Sequence, residues 1–149
     1  MVRMDIQKIL LAVDIAHSSE SLAEYARTIA EKFDARLFVM YVARDVEELK
    51  SLHVPHISLE KVQEEIIDSA RAELSTFCDM HFDGRVKYEA VIRTGIAYRE
   101  INDFIHELNI DLVVIGTHGA RGLGHFFFGS TAERVLRGAP CPVLTVKLI

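Results

Sequence analysis

The chain has 149 residues, half of them apolar and 26% charged, which suits one domain with a sizeable core and excludes a disordered chain. A formal charge of −5 argues against non-specific binding to nucleic acid or to anionic lipid, so an anionic ligand must be held by local groups. The two cysteines, Cys78 and Cys141, lie far apart without CxxC or zinc spacing, which fits reduced thiols in a cytoplasmic protein. No apolar run reaches membrane-spanning length. The early apolar run ends in Asp14 without a small-residue cleavage site, so no signal peptide is expected.

Strand and helix patterns alternate along the chain. Lys8 to Val13 reads as a first strand, and Ser21 to Phe33 as a helix with Leu22, Ala26, Ile29, Ala30 and Phe33 on one face. Leu37 to Val42 is a second strand. Arg44 to Ile57 reads as irregular, either a cover for a ligand crevice or a surface loop; His53 and His56 within it lack a third metal ligand. Ser58 is an N-cap for a second helix whose stripe is Val62, Ile66, Ala70, Leu74 and Phe77. Arg85 to Ile92 is a third strand, and Ala97 to Leu108 a third helix with Ile101, Ile105 and Leu108 inward. Asp111 to Ile115 is a fourth strand, Ser130 to Arg137 a fourth helix, and Pro142 to Leu148 a fifth strand.

Five strands alternating with four helices imply a doubly wound, open parallel sheet with helices on both faces. The first, second and fourth strands are continuously apolar and belong inside; the third and fifth mix in polar residues and belong at the edges. The order 3-2-1-4-5 meets that condition. It puts the topological switch between strands 1 and 4, where ligands bind beyond the carboxyl ends.

The fourth strand opens into Gly116-Thr117-His118-Gly119, then nine residues, then Gly129-Ser130 at a helix start. Glycines let main-chain N–H groups approach an anion, and a helix N-terminus adds a favourable dipole. The pattern points to a bound nucleotide. No GxGxxG follows the first strand, which argues against NAD or FAD. Gly124 to Thr131 mimics P-loop spacing, but Ser130 stands where the lysine belongs.

The Gly-2x-Gly-9x-Gly-Ser spacing, the Lys8-to-Asp14 start, the Gly129-to-Arg137 run and the Ala139-to-Val146 ending together resemble the universal stress protein family over essentially the whole chain. The resemblance implies a single domain over residues 1–149, an adenine nucleotide α-hydrolase-like fold, ATP as ligand (or ADP or AMP) with magnesium, and a homodimer. Asp14 then matches the aspartate that contacts the nucleoside, where a carboxylate accepts hydrogen bonds from ribose hydroxyls. Val42 matches the position whose backbone reads the adenine edge; its side chain equally suits core packing. Gly116 and Gly119 make room for ribose and α-phosphate, with Thr117 beside them in the nucleotide site, and Gly129, Ser130 and Thr131 hold the distal phosphates. Arg121 and His118 add positive charge, unless Arg121 is simply solvated and His118 is a loop-packing hydrogen-bond donor. Ser130 and Glu133 also form an S-x-x-E capping box, a role compatible with phosphate contact because both use the same helix-end donors. Two departures stand out: Ile15 where the family often has glycine, and Phe126-Phe127-Phe128 where aliphatic residues are common.

No nucleophile and base are paired in any recognisable pattern, and there is no G-x-S-x-G elbow. A receiver domain would need an acidic cluster after the first strand and an aspartate ending the third; Asp14 is alone, and Val91-Ile92-Arg93 ends the third. The reading is therefore a nucleotide-gated regulatory module acting on an unidentified protein effector, with ATP hydrolysis slow where it occurs. The alternatives are an enzyme turning over an adenine nucleotide, or a dimeric interaction protein sharing only the fold. The open edge of the last strand (Val143, Leu144, Thr145, Val146) offers the dimer contact.

Overall fold

The computed structural model of the chain describes residues 4–15, 20–52, 58–117 and 130–148. Five strands, β1 (Lys8–Ala12), β2 (Arg36–Ala43), β3 (Tyr88–Thr94), β4 (Leu112–Gly116) and β5 (Val143–Val146), form one sheet in the order β3-β2-β1-β4-β5. Every pairing is parallel. The helices are α1 (Glu20–Phe33), α2 (Leu59–Phe82), α3 (Ala97–Leu108) and α4 (Ser130–Gly138). This is the doubly wound order that the strand compositions imply.

Each face of the sheet carries its own core. Ile9, Leu11, Leu37, Val39 and Val114 pack under α1 and α2, against Leu22, Ala26, Leu74 and Phe82. Leu10, Ala12, Met40, Val113 and Ile115 pack on the other side under α3 and α4, against Ile101, Phe104, Ile105 and Val135. Alternate residues of a strand point to opposite faces. A strand covered on both sides must therefore be apolar along its covered length, as β1 is from Ile9 to Ala12 and β4 from Leu112 to Gly116.

A carboxylate fastens β1 to β4 at the end where the strands begin. The N–H groups of Gln7 and Lys8 both donate to Asp111 Oδ2 at 2.9 Å, and Lys8 Nζ donates to Leu108 O at 2.9 Å. The Asp111 N–H returns a bond to Lys8 O at 2.9 Å.

Element boundaries follow local chemistry. Ser58 caps α2 as its position predicts, its hydroxyl accepting from the Lys61 N–H at 3.4 Å. The third strand starts later than Arg85, because α2 runs on to Phe82 and the chain reverses through Asp83, Gly84 and Arg85. Gly84 takes φ 69°, a left-handed value that suits glycine, and the Arg85 and Val86 N–H groups both return to Phe82 O. The segment after β2 is not irregular throughout: Val46–Leu52 is a 3-10 helix with Val46 buried. Gln63 of α2 ties it down, accepting from the Val46 N–H at 2.8 Å and donating to Arg44 O at 3.1 Å. Residues 53–57, with His53 and His56, lie outside the described residues.

Phe33 departs from the expected face. It is 42% exposed, because the chain turns at Asp34 (φ 52°) and Ala35 enters the core instead. Phe104 joins Ile101 and Ile105 as a buried side chain of α3, and Leu108 packs half-buried against the same core.

Phe82, fully buried between α2 and the sheet, gives a contrast with Phe33. Phe82→Ala is expected to cost about 3–5 kcal/mol through lost burial and a residual cavity, and Phe33→Ala under about 1 kcal/mol. Urea unfolding of both variants checks this.

Candidate functional site

The register brings three of the candidate residues to one level. Ala12 pairs with Met40 on one side and with Ile115 on the other. Two residues further along, the three strands reach Asp14, Val42 and Thr117. All three are half-buried, at the carboxyl end of the central strands. Val42 packs against the core under α3 and α4. The Val13 N–H donates to Met40 O at 2.9 Å, and the Thr117 N–H to Val146 O at 2.9 Å, so the backbone stays ordered on both sides of the switch.

α4 begins at the same end. Its Ala132 and Val135 are buried in the same core as Leu10 and Ala12 of β1 and Val113 and Ile115 of β4, and its first turn holds Ser130 and half-buried Thr131. The first N–H groups of a helix have no intrahelical partner and form a donor set suited to an anion. The expectations for His118, Gly119, Arg121 and Gly129 lie outside the described residues, as does the side chain of Ser130.

Gly116 has a structural reason of its own. A Cβ placed there would lie 2.7 Å from Leu148 Cδ1, so the end of the chain packs directly over it. The glycine thus serves the close approach of Leu148 as well as any ligand.

On the α1/α2 side a cleft of about 480 Å³ opens beside the end of β1, lined by Val13, Ile15, Glu20, Glu73, Phe77 and His81 among others. Tyr41 packs against the core of the same face of the sheet. Burial pushes its phenol above the ordinary value, and the charges of Asp14 and Glu73 add to the shift. Sequence reading missed the part of α2 that lines this cleft. Phe77 sits on a helical stripe and reads as core, and only the fold shows that the stripe overhangs the end of β1.

Both cysteines are free thiols. Burial, with the charge of Asp79, pushes Cys78 up to about 12, so its thiolate is scarce at neutral pH. Among the described residues no three His, Cys, Asp or Glu side chains are grouped to hold a metal ion, and no helix is long and apolar enough to cross a membrane.

Comparison with known proteins adds the family context. A family model described as the universal stress protein family matches residues 5–147. Universal stress protein MJ0531 of Methanocaldococcus jannaschii is 34% identical over 141 residues, covering 95% of this chain and 82% of that protein. The universal stress protein UspA from Lactobacillus plantarum matches in structure with a TM-score of 0.76 at 24% identity, over 98% of this chain and 99% of that one. A universal stress protein from Archaeoglobus fulgidus, solved in complex with dAMP, matches with a TM-score of 0.69 at 21% identity, over 97% of this chain and 100% of its own. At these identities the two structures speak for the fold.

The packing of Leu148 over Gly116 predicts the cost of adding a methyl group there. Gly116→Ala is expected to lower stability by about 1–3 kcal/mol, and Leu148→Ala in the same chain to recover part of that loss. Thermal unfolding of the single and double variants, without added nucleotide, measures the coupling.

Proposed function

This chain belongs to the universal stress protein family, and from that premise we propose that it holds an adenine nucleotide at the switch between β1 and β4 and acts as a nucleotide-gated regulatory module. One observation carries the reading. Asp14, Val42 and Thr117 stand level at the carboxyl ends of three adjacent strands. A sheet of this order takes its ligand in that crevice. The relative from Archaeoglobus fulgidus solved with dAMP supports an adenine nucleotide as the ligand class.

In this reading the Asp14 carboxylate accepts hydrogen bonds from the ribose hydroxyls, and the Val42 backbone reads the adenine edge. Gly116, Thr117, His118 and Gly119 surround the ribose and the first phosphate. Gly129, Ser130 and Thr131, with Arg121, hold the outer phosphates through helix-end N–H groups and hydroxyls. Magnesium suits such a donor set, because it keeps most of its water and needs only one or two protein oxygens beside the phosphates. Nucleotide binding changes the surface around the crevice, and an effector protein senses that change.

The module works as a homodimer through β5. Pro142 O accepts from the Val113 N–H and Val146 O from the Thr117 N–H, so alternate peptides of β5 face β4. Those of Val143 and Thr145 face outward along the open edge. A groove of about 660 Å³ runs beside that edge, lined by Ser21, Tyr25, Leu144, Thr145 and Lys147 among others. A second copy pairing antiparallel on the edge meets two-fold symmetry.

Calorimetric titration of nucleotide-stripped protein with ATP and Mg²⁺ is expected to give a Kd on the order of micromolar, weakened at least about tenfold in Gly119→Val. A wild type that takes up no adenine nucleotide would overturn the reading. For the dimer, Thr145→Pro removes an outward N–H while sparing the bonds to β4, and is expected to shift sedimentation toward the monomer with an unchanged far-UV spectrum. A wild type that sediments as a monomer would sink the edge-pairing model.

A further inference from the structure

α3 and α4 run side by side in the same direction. Asn102 of α3 lies against Gly138 of α4 near one end, and Tyr98 lies under Arg134 near the other. α3 touches β2 and β3, while α4 touches β5, so the seam between the two helices lies over β1 and β4. α3 starts at Ala97, just past the carboxyl end of β3, and α4, parallel to it, ends at Gly138 just before β5 begins at Val143. The upper end of the seam therefore opens at the switch crevice.

Two arginines gather there on one ring. The Arg134 guanidinium lies 4.9 Å from the centroid of Tyr98 and that of Arg99 5.7 Å. Arg99 Nε donates to the Tyr98 hydroxyl oxygen at 3.1 Å. The carboxylates around them are occupied. Glu133 accepts from Arg137 at 2.8 Å, and Glu100 lies 3.7 Å from Arg93, which Glu107 also holds. Asp103 reaches Arg99 only through its field. Among the described residues neither Arg99 nor Arg134 has a carboxylate within ion-pair distance. The Tyr98 phenol is held below its ordinary value by the Arg99 hydrogen bond first, and then by the charges of Arg99 and Arg134.

In a chain of net charge −5, this is a local concentration of unneutralised positive charge at the mouth of the crevice. A helix side chain leans toward the N-terminus, so Arg134 covers the turn that holds Ser130 and Thr131. Arg99 spends its Nε–H on the Tyr98 hydroxyl, and its two Nη groups and the guanidinium of Arg134 remain open to a planar or tetrahedral oxyanion.

We propose, resting on the adenine-nucleotide reading of the crevice, that Arg99 and Arg134 bind the outermost phosphate of the nucleotide and make the site prefer a triphosphate to a monophosphate. The pair is a specificity device. It adds contacts only to a ligand long enough to reach the α3/α4 seam, and leaves the nucleoside end untouched.

The test titrates the nucleotide-stripped full chain with ATP, ADP and AMP in Mg²⁺ buffer, as wild type, Arg99→Gln, Arg134→Gln and the double variant. Arg71→Gln, an exposed charge on α2 paired with Asp68, controls for the loss of one positive charge elsewhere. The double variant is expected to lose ATP affinity by about tenfold or more, while AMP affinity stays within about twofold and Arg71→Gln matches wild type. Arg134→Lys, which keeps the charge and loses the fork, should fall between. Equal losses for ATP and AMP, unchanged ATP affinity, or an equal loss in Arg71→Gln would overturn the pair while the nucleotide reading stands. A wild type that binds none of the three nucleotides would overturn both.

Discussion

β1 is hydrogen-bonded on both edges and covered on both faces. Its five residues meet β2 at Lys8 to Ala12 and β4 at Ile9 to Ala12, with Ile9, Leu10 and Leu11 wholly shielded from water. A strand held in this way has no freedom to slip, because a shift of one residue would exchange its two apolar faces and break both ladders at once. The rest of the molecule inherits its geometry from that fixed register. The level at which β1 ends sets the level at which Asp14 emerges, and its parallel neighbours bring Val42 and Thr117 to the same height.

The two helical layers serve different ends. The α1/α2 layer closes on the sheet through small residues, Ala23, Ala26 and Ala30, with Phe82 filling the space at the far end. The α3/α4 layer uses larger side chains: Ile101, Phe104 and Ile105 meet Phe38 and Met40, and the Phe38 and Phe104 rings stand edge to face at 5.5 Å. Arg93 lies 5.3 Å from the other part of that contact, the Phe104 ring, and ties the end of β3 to α3 through Glu107. The layer that carries the start of α4 is thus braced from both the core and the rim.

Much of this was legible in the residues, for physical reasons. Apolar runs such as Ile9 to Val13 and Leu112 to Ile115 can be satisfied only by burial on both faces, which gives the sheet order and its switch point. Ser58 is readable as a cap because its hydroxyl has one obvious use at the start of an apolar stripe. Phe33 was misread because a helical wheel shows the direction of a side chain and not whether anything lies beneath it. The third strand was placed early because Val86, Tyr88 and Ala90 alternate as a strand does, whereas the length of α2 and the turn at Gly84 decide where pairing begins. Arg99 and Arg134 gave no signal at all, since 35 residues separate them and only the parallel contact of α3 with α4 brings them to one ring.

The clasp at Asp111 has a mechanical meaning. It joins the first residues of β1 and β4 through two N–H donors and a backbone return bond, at the rim opposite the crevice. The ladder from Ile9 to Ala12 then carries that alignment up to the level of the crevice. A change at that distant rim would act first on the alignment of β1 with β4, without touching the row at Asp14, Val42 and Thr117.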